Sequence, residues 1–161
     1  MFKKLFKQSK VEKIYAPVNG EVVKLEEVPD PVFSQKMMGE GIAINPSKGE
    51  IVSPVNGKVV QIPDSRHAIG LKTDNGTEVL IHVGLETVAL GGKGFTLNVS
   101  EGDKVRVGQP LLNVDLSYIS ENASSVITPV VITNSNDIDK KITLSEEKEA
   151  KAGETVLVTI N

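Results

Sequence analysis

Two side chains dominate the chemistry open to this sequence: His67 and His82, its only histidines. A neutral imidazole is a good nucleophile near pH 7, because an ordinary pKa of about 6.5 leaves a ring-nitrogen lone pair free there. Two imidazoles on one surface could instead bind zinc, with a further ligand from Glu40, Glu86 or a partner protein. A histidine on an apolar strand can also be a packed structural residue. Cysteine is absent, which removes disulfides, thiolate zinc sites and cysteine nucleophiles.

Whether the two rings meet depends on the strands that carry them. In RHAIGLK, alternation puts His67, Ile69 and Leu71 on one face. In TEVLIHV it puts Leu80 and His82 on one face, with Val79, Ile81 and Val83 on the other. Asp74-Asn75-Gly76 between them signals a hairpin, since Asn and Gly tolerate positive φ. A two-residue Asn75-Gly76 loop sets Ile69 opposite His82 and His67 opposite Gly84, so the histidines become diagonal neighbours. A loop at Asp74-Asn75 sets them directly opposite each other. An odd-length loop with a bulge at Gly76 would swap one strand's faces. The expectation is a two-residue loop and both histidines on one face.

The remaining chain reads as β. At 161 residues it suits one domain with a full core. Aromatics are few and tryptophan is absent, so that core must be built from Val, Ile and Leu. IYAPVNGEVVKLEEVPD and IVSPVNGKVVQIPD are two copies of one unit: a strand, a Pro-initiated turn and a second strand. VSEGDKVRVGQPLLNVDL is echoed by EAKAGETVLVTI near the end. Many short strands with turn residues between them predict an all-β antiparallel sandwich, with Leu116 to Ser125 at most a short helical turn after Asp115. Val59, Ile81, Val105, Val107, Leu111 and Val114 are expected to be buried strand residues.

With 18 basic and 21 acidic residues, the net charge of −3 gives no reason to expect nucleic acid as a partner. No apolar run is long enough to span a membrane and the start lacks a signal-peptide core, so a cytoplasmic protein is expected. Residues 1–10, MFKKLFKQSK, read as a basic tail, either disordered or weakly drawn to anionic lipid through Phe2, Leu5 and Phe6. Residues 11–161 then form a single domain.

EGDKVRVGQPL and PVNGKVV resemble the barrel-sandwich hybrid folds, which include biotinyl and lipoyl carriers, lysostaphin-type peptidases and one class of sugar phosphotransferase component. Lys36-Met37-Met38 has the wrong order for a biotinyl hairpin, and two histidines are too few for the peptidases' zinc site. PDPVFSQKMMGEGIAINP, SRHAIGL, IHVGLETVALGGKGF, VSEGDKVRVGQPL and ITPVVITN follow one another in the order and spacing of a third group. They resemble the glucose-family enzyme IIA (EIIA) proteins of the bacterial phosphoenolpyruvate-dependent sugar phosphotransferase system. The likeness runs from about Ile14 to the C-terminus. It implies a duplicated hybrid motif and a monomeric phosphocarrier that takes a phosphoryl group from HPr and passes it to a cysteine on the IIB domain of a sugar permease. A tail ahead of the domain is expected to leave it free of a covalent link to that permease.

The resemblance also assigns roles. His82 matches the phosphoacceptor, which reacts through Nε2, and the Gly84 carbonyl is the natural acceptor for its Nδ1 proton. His67 matches the second histidine, which stabilises the phosphoryl group, and Ser65 stands where the family usually has Thr to orient that ring. Glu40 and Glu86 match acidic positions near the site. Read from the chain around the histidines rather than from the resemblance, Ile42, Ile69, Leu71 and Val88 form either an apolar rim for docking partners or, as such residues more often do, part of the core. No cofactor is required for transfer between imidazoles, although zinc could bind His67 and His82 at a partner interface. The alternative function is a non-catalytic regulatory module that docks transporters or metabolic enzymes.

Overall fold

The computed structural model describes residues 11–161. The tail at residues 1–10 lies outside the described residues. In chain order the elements are β1 (Glu12–Tyr15), β2 (Gly20–Lys24), α1 (Pro31–Ser34), β3 (Glu40–Pro46), β4 (Glu50–Val52), β5 (Gly57–Gln61), β6 (Ala68–Thr73) and β7 (Glu78–His82). They continue with β8 (Phe95–Leu97), β9 (Lys104–Val105), β10 (Pro110–Val114), α2 (Leu116–Asn122), β11 (Thr128–Ile132), β12 (Ile142–Leu144), β13 (Glu149–Ala150) and β14 (Val156–Ile160). Every strand pairing is antiparallel.

The repeat in the sequence is a repeat in space. One sheet has eight strands in the order β13-β2-β3-β11-β7-β6-β5-β9, and the two smaller sheets run β1-β14-β12 and β4-β10-β8. Matching Ala16–Val23 with Ser53–Val60 sends β2 to β5, β3 to β6, β11 to β7 and β13 to β9, so the large sheet is two four-stranded halves. The Pro-Val-Asn-Gly turns are tied down in the same way. Asn19 Oδ1 accepts from Ala152 N at 2.7 Å, and Asn56 Oδ1 accepts from Val107 N at 2.9 Å. Each turn also binds the other unit's strand: Tyr15 N donates to Pro54 O at 2.9 Å and Val52 N to Pro17 O at 2.7 Å. A duplicated, interlocked antiparallel sandwich results, with no closed barrel among the described residues.

Alternation selects what lies inside. Ile42, Ile44, Ile69, Leu71, Val79, Ile81, Val130 and Ile132 point from the large sheet into the main core. Val59, Val105, Leu111 and Val114 are buried with them as expected, whereas Val107 is only half-buried because its turn sits at the edge. Each fully buried Val, Leu or Ile contributes about 1.5–3 kcal/mol, which is how a chain without tryptophan sustains this fold. The other face of β3 and β11 carries a second cluster: Leu25, Val28, Phe33, Ala43, Leu85 and Val131. Leu25 to Gly39 crosses over it. Within that segment, Asp30 caps α1, its Oδ1 accepting from Val32 N at 3.0 Å, and Pro31 takes the first helical position where its missing N–H costs nothing. The turn expected after Asp115 is α2, capped by Asp115 Oδ1 on Tyr118 N at 3.0 Å.

The β6–β7 hairpin departs from the two-residue loop. Its loop has three residues, Asp74-Asn75-Gly76, closed by Thr73 and Thr77 (Thr73 N donates to Thr77 O at 2.9 Å) with Gly76 at φ +90°. Ala68 therefore pairs with His82 and Ile69 with Ile81. By strand parity alone, His67 and His82 should lie on opposite faces of the sheet.

Candidate active site

The rings nevertheless meet. His67 and His82 stand edge to face, their centroids 4.8 Å apart and their planes at 80°. Parity does not govern His67 because it precedes β6 and lies in a bend. The residue before it, Arg66, has φ +57°, a left-handed turn that redirects the chain just ahead of the strand. His67 O still accepts from Val83 N at 2.7 Å, so the backbone joins the ladder while the imidazole reaches the outer face.

Each ring has one nitrogen engaged. His82 Nδ1 lies 2.8 Å from Gly84 O, which can only accept, so the proton sits on Nδ1 and Nε2 keeps its lone pair. The turn that presents this carbonyl requires glycine: Gly84 has φ +76°, and a Cβ there would fall 2.6 Å from Thr87 Cγ2 and 2.8 Å from Ser125 O. Thr87, fully buried, braces the turn by donating from Oγ1 to Val83 O at 2.8 Å. Ser65 Oγ is 2.5 Å from His67 Nδ1. With the hydroxyl donating, His67 carries its proton on Nε2.

Both rings are neutral at pH 7. Burial, and then the neighbouring His82, lower the His67 pKa to about 4. Burial also lowers that of His82, opposed by the Gly84 carbonyl and the Asp30 carboxylate, which favour its protonated form. The site thus holds a nitrogen with a free lone pair, Nε2 of His82, beside the His67 ring, which presents Nε2–H when Ser65 donates to its Nδ1.

Ser65, His67, His82 and Gly84 are brought together as expected. The rim is not: Ile42, Ile69 and Leu71 are at most 2% exposed in the main core, because alternation turns them away from the face that carries His82. Val88 is 61% exposed and remains available to a partner. Glu40 bonds Lys36 Nζ at 3.2 Å and Gly41 N at 3.1 Å, and Ser135 Oγ accepts from its backbone N–H at 3.0 Å; neither histidine touches it. Glu86 is exposed at φ +58°. Among the described residues no three His, Cys, Asp or Glu side chains cluster closely enough to hold a metal ion, so zinc at His67 and His82 would need ligands from a partner.

Sequence reasoning missed two members. Phe33 packs on His82 with centroids 5.0 Å apart, and the Asp30 carboxylate acts on the same ring. Asp before Pro is a helix-start pattern that Asp30-Pro31 fits, but no local feature of the chain tells that α1 lies over His82. Val32, Met37 and Met38, in and just after α1, are exposed large hydrophobics, as is Val88.

The family model for the phosphoenolpyruvate-dependent sugar phosphotransferase system, EIIA 1, matches residues 12–138, and the chain belongs to that family. It is 51% identical over 164 residues to the glucose-specific EIIA component of this system from Staphylococcus epidermidis, covering 99% of this chain and 98% of that protein. Identity to the glucose-specific EIIA component of Staphylococcus aureus (strain COL) is 53% over the same length and coverage. Among solved structures, glucose permease IIA from Mycoplasma capricolum superposes with a TM-score of 0.86 at 35% identity, covering 94% of this chain and 97% of that one. The chain is therefore a phosphocarrier component of a sugar phosphotransferase system. No helix among the described residues is long and apolar enough to cross a membrane.

Proposed function

We propose that His82 takes a phosphoryl group from phospho-HPr on Nε2 and passes it to a cysteine of a permease IIB domain, in the cytoplasm and without a bound cofactor. The observation that carries this reading is the Nδ1–H bond of His82 to Gly84 O, which leaves Nε2 as the free nucleophile. The donor's P–N bond breaks as the P–Nε2 bond forms. His82 keeps its Nδ1 proton, so its ring becomes a phosphoimidazolium, and the Gly84 carbonyl and Asp30 carboxylate favour that positive charge. On discharge the thiolate sulfur attacks phosphorus and His82 leaves as a neutral imidazole, with no net proton transfer.

His67 is neutral beforehand, because burial and His82 oppose its charge. A phosphoryl dianion next to it reverses that balance, so His67 takes a proton from solvent on Nδ1, Ser65 Oγ turns to accept it, and Nε2–H donates a charge-assisted hydrogen bond to an equatorial oxygen. Ser65 orients the ring from Nδ1. Val32, Met37, Met38 and Val88 give HPr and IIB an apolar rim, with Glu86 beside them for basic groups.

Incubation with phosphoenolpyruvate, enzyme I and HPr, followed by intact mass, tests the reading. One phosphoryl group, acid-labile and base-stable, is expected. No gain in mass would overturn it and leave a non-catalytic docking module.

A further inference from the structure

The large sheet carries an unusual row of charge. Lys72 on β6 pairs with Lys58 on β5, and Lys58 pairs with Lys104 on β9, so three exposed lysines stand directly side by side across three strands. Adjacent strands are about 4.8 Å apart, and like charges directly opposite destabilise a sheet. Arg106, exposed two residues beyond Lys104, extends the row. Glu78 stands at its inner end opposite Lys72, and Asp74 and Asp103 lie nearby, but no carboxylate among the described residues comes within ion-pair distance of these four cations. The matching row in the other half is Asn45-Glu21-Glu149, so this charge is not dictated by the repeated fold.

We propose that this Lys72-Lys58-Lys104-Arg106 face is a contact surface for anionic lipid. The four cations lie on the outer face of the sheet, and a bilayer can engage them all together, each gaining from the whole surface potential. The other complementary occupant on the page, the Glu21-Glu149 pair of a second copy, offers only exposed ion pairs, which contribute little. Two further features fit. Lys58, Lys104 and Arg106 line a groove with Asn56 and Asp74, and an adjoining groove lined by the same Asn56 and Asp74 reaches Val11. Val11, the first described residue, thus lies beside this row. Lys72, Gly70 and Ala68 share a face of β6, and Ala68 pairs with His82. The row therefore lies on the same side of the sheet as His82, four residues along the strand.

Vesicle co-sedimentation tests this with the full chain, on phosphatidylglycerol–phosphatidylcholine and on pure phosphatidylcholine vesicles. The wild type should bind only the anionic vesicles, and raised salt should release it. The triple variant Lys58→Gln, Lys72→Gln, Lys104→Gln should bind roughly a hundredfold more weakly. Glu21→Gln with Glu149→Gln should bind no more weakly than wild type. Neutralising Lys3, Lys4, Lys7 and Lys10 instead should leave binding that still depends on the row. Equal binding by wild type and the triple variant would assign all lipid attraction to the tail and overturn the proposal, as would no binding by the wild type. Phosphoryl uptake from HPr in solution should be unchanged in the triple variant, which keeps this test separate from that of the carrier function.

Discussion

The two halves of the large sheet share one plan and differ at the positions that matter for chemistry. Ile44 pairs with Val22 as Leu71 pairs with Val59, and Val130 pairs with Ile42 as Ile81 pairs with Ile69. Followed along the strands, the counterpart of His82 is Val131 and that of His67 is Glu40. Val131 is buried beneath the segment that carries Phe33, and Glu40 is bonded to Lys36 and Gly41. The connection between the first two strands of each half accounts for much of the difference. Residues 25–39 link β2 to β3 and fold over their own half, whereas only residues 62–67 link β5 to β6. The longer connection buries Val131 and lends Phe33 and Asp30 to the neighbouring histidine. One half supplies both histidines and the other supplies the wall beside them, so a duplicated scaffold yields a single asymmetric pair.

That comparison breaks most sharply at the equivalent pair. His82→Ala should abolish phosphoryl uptake from HPr while preserving the fold, because no other side chain presents the free Nε2. Val131→Ala should leave uptake intact but cost about 2 kcal/mol in denaturant unfolding, the usual penalty for emptying a core position. Loss of uptake in Val131→Ala without unfolding would show that the first half takes part in the chemistry itself.

Next in size is His67→Gln. An amide can still donate a hydrogen bond, so charging from HPr should stay near normal. Discharge to a IIB cysteine should slow about a hundredfold, because a neutral amide cannot offset the charge of thiolate and phosphoryl group together. Single-turnover measurement of each half-reaction checks this. Equal slowing of both steps would make His67 a positioning residue for His82.

Gly84→Ala should be milder in rate but visible in stability, with a loss of about 1–3 kcal/mol, since it adds a left-handed Cβ against Thr87 and Ser125. Its histidine NMR should show a weakened Nδ1–H bond. A fully stable variant with that bond intact would contradict the proposed constraint.

The smallest expected effect is in pH dependence. His67 has its folded pKa lowered to about 4 from 6.5, so between those values the unfolded chain binds more protons. Its contribution to stability is full above pH 6.5 and is lost as pH falls toward 4. Carboxylates titrate in the lower part of this range, so the informative quantity is the difference between wild type and His67→Gln. That variant should lose less stability than wild type between pH 6.5 and 5. Parallel curves would mean that the ring is not held neutral by its surroundings.

The sequence was most legible where one residue type has one structural use. The Pro-Val-Asn-Gly repeat marked the duplication because Asn19 and Asn56 each brace their turn. The convergence of His67 and His82 was expected, but for the wrong reason. A three-residue loop reversed the assumed register, and the bend after Arg66 restored contact through backbone geometry that alternation cannot show. Alternation grouped Ile69 and Leu71 with His67, but His67 lies in a bend ahead of β6, so strand parity sends them, and Ile42, to the core. Phe33 and Asp30 were missed because their contact with His82 crosses the fold from one half to the other.

The carrier assignment is tested most directly by phosphorus–nitrogen coupling in the phosphorylated protein labelled with ¹⁵N-histidine. The account predicts one phosphorylated ring, His82, coupled through Nε2, with its Nδ1–H retained. Phosphorus on His82 Nδ1, or on His67, would contradict it.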